Sequence, residues 1–276
     1  MSNKDKIGIT IFGHKGFIGK NILLKLRLKK QRIFLPKRNI LKYKINLGHI
    51  IYCIGSHQWR NDPYNAFNTD ITIIANILKN NNYKSFNLIS STRIYKNKNT
   101  YEDSEISVNP INNDDYYNCL KIFAENLVLL NKKNKVIRIS NIFGNNYSST
   151  IFLPTIIRDA VHKKKIFLTT NKKSEKDFLF VDEAVDVIIK IVKRGSKNIY
   201  NVAYGKNYLI DDIVNHLKNI TSSKIIYKYK PSIVKNSVIN IARIKKEFNF
   251  KPKTNVLKYL KILVKNYKES LNKKIS

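Results

Sequence analysis

Tyr117 and Lys121 stand four residues apart in a stretch, Tyr116 to Leu130, whose apolar spacing predicts a long helix, so phenol and ammonium share one helix face. An ammonium beside a phenol draws the phenol pKa down from about 10 toward working pH, which suits the pair to move a proton on and off a hydroxyl. A chain with 52 Lys and Arg should produce several such pairs by chance, yet of sixteen tyrosines only Tyr117 has a lysine four positions on. Upstream, Ser90-Ser91-Thr92 closes the apolar run Phe86-Asn87-Leu88-Ile89, where a hydroxyl would emerge at the end of a strand. Simple capping of the strand by Ser and Thr is the other reading of those three residues.

A second constellation lies at the start of the chain. From Ile7 to Lys20 a short apolar run is followed by Gly13, Gly16 and Gly19 and then by a helix pattern. The first glycine permits a sharp turn after the strand, the second a close approach of backbone to a pyrophosphate, and the third tight packing of helix on sheet. Helix N-terminal amides then bind the anion. The order strand, glycine turn, helix points to NAD or NADP.

The elements that must position these groups alternate. Strands are predicted at Ile7 to Phe12, Arg32 to Leu35, His49 to Gly55, Ser85 to Ser90 and Val136 to Ile139, and helices at Ile18 to Lys29, Asn65 to Asn80 and Tyr116 to Leu130. Such alternation predicts an α/β fold, a Rossmann-type doubly wound parallel sheet with ligands at the carboxyl ends of its strands. Only about a dozen residues separate the second strand from His49, too few for another helix and strand, so that edge of the sheet should be abbreviated. Beyond it, amphipathic helices are expected at Asp182 to Lys193, Leu209 to Asn219 and Leu257 to Tyr267, with a strand at Ile225 to Tyr229. We divide the chain into a dinucleotide-binding domain, residues 1–145, and a small C-terminal substrate-binding lobe, residues 146–276, interleaved with the first.

Composition bounds the partners. The chain has 276 residues, 43% of them hydrophobic, enough for a sizeable core. Its formal net charge of +33 comes from lysine spread through every segment, including Lys132-Lys133-Asn134-Lys135 and Lys163-Lys164-Lys165 between apolar runs. Solvated surface, attractive to anionic small molecules, is the reading we take; no specific nucleic-acid partner is expected. Cys53 and Cys119 lack paired spacing, and His14, His49, His57, His162 and His216 form no ligand pair, so neither a disulfide framework nor a metal is implied. The first strand begins too near Met1 for a signal peptide, and no run of roughly 18 apolar residues occurs. A soluble cytoplasmic protein without membrane insertion is expected.

Gly13-x-x-Gly16-x-x-Gly19, the segment Ser90 to Tyr95 and Tyr117-x-x-x-Lys121 together resemble the extended short-chain dehydrogenase/reductases, the NAD-dependent epimerase/dehydratase family. The resemblance runs on through Arg138 to Gly144, Lys176 to Asp182, Ile199 to Val202, Ile241 to Arg243 and Phe248 to Pro252, in order and over nearly the whole chain. It implies that Tyr117 is the acid/base for a substrate hydroxyl, that Lys121 holds the nicotinamide ribose and tunes the phenol, and that Ser91 hydrogen-bonds the reacting oxygen. The implied cofactor-binding set is Gly13, Gly16, Phe17, Ile18, Gly19, Lys37, Arg38, Gly55 and Lys121. Ser91, Thr92, Asn141, Lys176 and Arg243 are the implied substrate-binding set, with Asn141 and Lys176 at the phosphates of a nucleotide sugar. Lys176 replaces an arginine common in the family, exchanging a bidentate fork for a point charge.

Two departures narrow the expectation. Dehydratases of the family place an Asp-Glu pair after the catalytic hydroxyl, whereas Ser91 is followed by Thr92 and Arg93, which disfavours elimination. Lys37-Arg38 stands where an NAD-preferring member has an acidic residue, a tilt toward the 2′-phosphate of NADP. The reading is an NAD(P)-dependent sugar-nucleotide epimerase or keto-sugar reductase, which the family associates with surface polysaccharide synthesis. A non-catalytic dinucleotide-binding regulator and a basic nucleic-acid-associated protein are the alternatives, and the intact Ser91, Tyr117 and Lys121 argue against the first. The family often pairs through the Tyr-Lys helix and its neighbour, which leaves a homodimer open.

Overall fold

A computed structural model describes residues 8–37, 42–55, 59–96, 98–227 and 233–275. Ile7, Arg38, His57 and Tyr229 lie outside them. The central sheet has six parallel strands: β1 (Ile9–Phe12), β2 (Ile33–Phe34), β3 (His49–Tyr52), β4 (Ser85–Ser91), β5 (Lys135–Ile139) and β9 (Ile199–Val202). Their order in space is β2-β1-β3-β4-β5-β9. Consecutive strands pair in register, Ile9 beside His49, His49 beside Ser85 and Val136 beside Ile199. All four residues of β1 are buried, as a strand covered on both faces requires.

One face is covered by α1 (Phe17–Leu28) and α6 (Val181–Arg194), which bury Ile22, Leu26, Val185 and Ile188 against Ile9 and Ile11. The other carries α3 (Ile73–Asn80) and α4 (Asp115–Leu129), which close Ile74, Leu120 and Ala124 over Phe12, Ile50 and Tyr52. Each such side chain, fully buried, contributes roughly 1.5–3 kcal/mol against the entropy of ordering it. This is the Rossmann-type arrangement expected from the alternating pattern. The reversal of strand order falls at β1 and β3, so the carboxyl ends of those strands open the ligand crevice.

The short edge is also present: β2 has two residues, and among the described residues no helix lies between it and β3. The helix expected from Asn65 to Asn80 differs in kind. It is α2 (Pro63–Phe67), a π-helical turn at Asn68–Thr72, and then α3. Asp62 opens α2, its carboxylate accepting the Asn65 amide at 2.9 Å, with Pro63 in the first turn where its missing N–H does no harm. The wider π turn carries Asp70 inward.

Residues from Asn141 onward supply both the last strand of the main sheet and a separate lobe. In the lobe, β6 (Asn141–Phe143), β8 (Glu175–Phe180) and β10 (Asn207–Leu209) form one sheet, and β7 (Lys165–Leu168) pairs with β11 (Lys224–Tyr227). Helices α5 (Phe152–Lys163), α7 (Ile210–Thr221) and α9 (Val256–Ile275) share a core of Ile156, Ile213, Leu217, Leu260 and Leu263, while α8 (Ala242–Phe248) packs Ile244 and Phe248 into the core of the main sheet. Leu209, expected to open a helix, is the last residue of β10.

Candidate active site

The glycine turn follows β1 directly. Gly13 has φ +83, and a Cβ there would lie 2.9 Å from backbone atoms of Cys53 and Ile54, so only glycine allows the two strand ends to approach. A Cβ on Gly19 would come within 2.3 Å of the Gly13 carbonyl oxygen, so the first turn of α1 packs directly on the loop. Gly16 is the N-cap of α1; its amide donates to the Gly13 carbonyl at 3.0 Å, and neither a capping side chain nor an acidic residue blocks the helix end. A backbone cradle facing uncapped amides fits the pyrophosphate of a nicotinamide dinucleotide. Phe17 and Ile18 pack as partly buried residues on the core beneath.

From there the site is contiguous. A Cβ on Gly55 would lie 3.4 Å from Lys121 Nζ. That ammonium is 5.5 Å from the centroid of the Tyr117 ring and donates to Asp70 Oδ1 at 2.8 Å, in a pair whose side chains are 4% and 1% exposed. Desolvation would lower the Lys121 pKa, but Tyr117, Asp70 and Glu125 outweigh it and hold the ammonium above the usual lysine range. Asp70 Oδ2 is buried with no hydrogen-bond partner.

Arg93 also borders Tyr117, its guanidinium carbon 5.1 Å from the ring centroid. The Arg93 amide donates to Ser91 Oγ at 3.2 Å, so the end of β4 and the phenol border one space. Trp59 closes the wall, buried to 6% exposure with its ring 6.3 Å from that of Tyr117. Behind them Glu125, one turn beyond Lys121, accepts from Ser90 Oγ and from Arg138, while Arg138 also donates to Tyr95 Oη at 2.6 Å. This buried, hydrogen-bonded network fixes α4 against the ends of β4 and β5.

The lobe adds the next residues. Lys176 on β8 is half-buried, and both desolvation and the charge of Arg93 push its ammonium below the usual range. Beside it, Asn141 donates to the Asp177 carbonyl at 2.8 Å. The Asp177 carboxylate accepts from Ser140 Oγ and from the amides of Tyr204, Gly205 and Lys206, tying β6, β8 and the turn after β9 together. Thr92 opens the short 3-10 turn Thr92–Tyr95 after Ser91 and is partly buried.

Two expected residues stand apart. Arg243 lies 3.7 Å from Glu102 and donates to the Ile199 carbonyl, at the amino end of β9 and so at the opposite end of the sheet from Ser91. Lys37 is exposed beyond β2, across the sheet from Tyr117. Conversely, the sequence reading passed over Asp70 and Trp59 and saw in Arg93 only a missing carboxylate. Asp70 did leave a trace, an acid among apolar helix positions.

With that geometry in place, comparison with known proteins is decisive at the level of family. The profile of the NAD dependent epimerase/dehydratase family matches residues 44–203, more than half of the chain. The chain belongs to this family. Like other members of the epimerase/dehydratase family, it is an enzyme of the extended short-chain dehydrogenase/reductase type that uses a nicotinamide dinucleotide. Among solved structures it is similar to RMD from Pseudomonas aeruginosa complexed with NADPH, with 16% identity, TM-score 0.82, and 96% of this chain and 100% of that chain covered. UDP-glucose 4-epimerase from Thermotoga maritima with UDP-glucose is 17% identical, TM-score 0.76, over 96% and 99%. The dTDP-glucose 4,6-dehydratase from Bacillus anthracis in complex with NAD is 16% identical, TM-score 0.77, over 96% and 97%. A search of curated proteins finds no match to the sequence.

Proposed function

We propose that this family member is an NAD(P)-dependent sugar-nucleotide epimerase or keto-sugar reductase with Tyr117 as its acid/base. The observation that carries the reading is the unbroken path from the glycine cradle through Gly55 and Lys121 to the phenol of Tyr117. Gly13, Gly16, Gly19 and the start of α1 would hold the pyrophosphate, and Lys121 the nicotinamide ribose. When bound, the dinucleotide supplies a carbon that accepts and returns hydride. Tyr117 takes the proton of the sugar hydroxyl as it becomes a ketone and gives it back on reduction, while Ser91 hydrogen-bonds the same oxygen. Asn141 and Lys176 receive the substrate phosphates.

Return of hydride to either face of the ketone gives epimerisation, and net use of reduced cofactor gives a reductase. Elimination is disfavoured, because the residues after Ser91 are Thr92 and Arg93 rather than carboxylates. Lys37, exposed just past β2, and Arg38, next to it in the sequence, favour NADP over NAD. Free thiols at Cys53 and Cys119 suit a reducing cytoplasm. Phe123 on α4 and Leu130 at its end, 55% and 76% exposed, favour a homodimer through that helix. Synthesis of surface polysaccharide is the setting that fits such a product.

The test is absorbance of the purified protein followed by titration with NAD(H) and NADP(H) in moderate salt. Tightly retained NAD supports the epimerase, and exchangeable, preferred NADPH supports the reductase. Binding of neither overturns both.

A further inference from the structure

Two cations, Arg93 beside Tyr117 and Lys176 within the field of Arg93, lack an ion pair among the described residues, in contrast with the cations behind Tyr117. Lys121 is neutralised by Asp70 and Arg138 by Glu125. Arg93 forms no ion pair among the described residues; its side-chain hydrogen bond is a long one, 3.4 Å to the Asp114 carbonyl. The carboxylate of Asp114 is paired with Arg60 at 2.5 Å, and that of Asp115 with Lys96, so neither is free for Arg93. Lys176, half-buried on β8, likewise has no ion pair among the described residues and feels the repulsion of Arg93.

Arg93 is nevertheless well placed. Its backbone is anchored to Ser91 Oγ, and its guanidinium lies 5.1 Å from the Tyr117 centroid and 5.8 Å from that of Trp59, an aromatic seat that favours a planar cation. An anion held by this guanidinium sits within a side chain's reach of the reacting oxygen, on the sugar itself. The substrate phosphates, by contrast, belong one ring away, with Lys176 and Asn141.

We propose that the sugar turned over at Tyr117 carries a carboxylate, as in a hexuronic or other sugar acid, and that Arg93 is the specificity residue that binds it. The fork of the guanidinium matches a carboxylate with two parallel hydrogen bonds. The same anion relieves the repulsion between Arg93 and Lys176. This rests on the function proposed above and names the substrate class for that site.

The experiment compares dissociation constants for matched pairs, UDP-glucuronic acid with UDP-glucose and GDP-mannuronic acid with GDP-mannose, each beside the free nucleoside diphosphate. It uses the full chain loaded with NAD(P), in 0.15 M salt so that the general positive charge is screened. Wild type is expected to prefer the acid of the pair it accepts by roughly tenfold, and R93Q to lose that preference, with R93K keeping part of it. No preference in wild type, or one that R93Q leaves intact, overturns the proposal. Equal weakening of acid, neutral sugar and free diphosphate in R93Q assigns Arg93 to the phosphates and overturns it too. Failure of every sugar nucleotide to bind while NAD(P) is retained overturns the sugar-nucleotide reading along with it.

Discussion

Asp70 Oδ1 lies 2.8 Å from Lys121 Nζ, a buried ion pair across 51 residues of sequence that holds the helix of Tyr117 to the π turn before α3. Because the ammonium is neutralised from one side by Asp70, its remaining field acts on Tyr117 from the other. Asp70 is therefore expected to act as a positioning residue, through Lys121.

Asp70→Asn keeps the shape and removes the charge. Losing one partner of a buried pair should destabilise the fold by about 3 kcal/mol, read as a lower urea midpoint. The Lys121 pKa should fall with it, so the alkaline limb of the pH–rate profile moves to lower pH. The sign follows from linkage. A lysine raised by its partners contributes fully below about pH 10.4 and loses that contribution as pH rises through its folded value, so near neutrality the whole contribution is at stake. An unchanged alkaline limb would leave Asp70 a purely structural acid.

Tyr117→Phe should fold normally, since among the described residues the hydroxyl makes no hydrogen bond that holds the helix, and should retain NAD(P). Turnover should fall about 10²–10⁴-fold. A folded variant with full turnover would remove Tyr117 as the acid/base.

Substitutions in the glycine cradle should rank by geometry. Gly19→Ala drives a methyl to 2.3 Å from the Gly13 carbonyl and should lower stability by about 1–3 kcal/mol and abolish dinucleotide binding. Gly16→Ala meets the same oxygen at 3.3 Å, a contact that a small shift relieves. Thermal melting with and without NAD(P) checks the order; equal effects would mean that the turn is looser than its geometry.

His49 at the start of β3 makes a 2.7 Å hydrogen bond with Ser85 Oγ, and burial, with Lys84, Lys135 and Lys193 nearby, lowers its pKa to about 4. An unfolded imidazole takes up its proton near pH 6.5, so stability should decline as pH falls from there and level off below about 4. His49→Gln should lose less stability between pH 7.5 and pH 5 than wild type in urea titrations. Equal acid sensitivity in the two would shift the cause elsewhere.

The parts of this site readable from sequence are those whose chemistry is local. Gly13, Gly16 and Gly19 announce a turn because only glycine tolerates those positions, and Tyr117 with Lys121 announces itself through helical spacing. Helix α4 begins one residue before the expected Tyr116 and ends one before Leu130. Asp70 could not be read in this way, since its partner lies far along the chain and the π turn that aims it has no composition of its own. The three-residue strands β6 and β10 exist only through β8, which pairs with both. Helix α5, for which no element is predicted from the sequence, carries Pro154 in its first turn, where proline is tolerated. Arg243 had the right charge at a plausible spacing, and only the third dimension sends it to the other end of the sheet.

The sixth strand of the main sheet, residues 199–202, has a consequence for how the protein is made. β5 finds one neighbour in β4, already synthesised, and the other in β9, which leaves the ribosome only after β6, α5, β7, β8 and α6. Until then the nascent chain presents a parallel strand edge rich in Val136, Ile137 and Ile139, the kind of surface that invites aggregation. The main sheet is therefore closed only once β9 has been made, after most of the lobe's strands, and its β5 edge stays open until then.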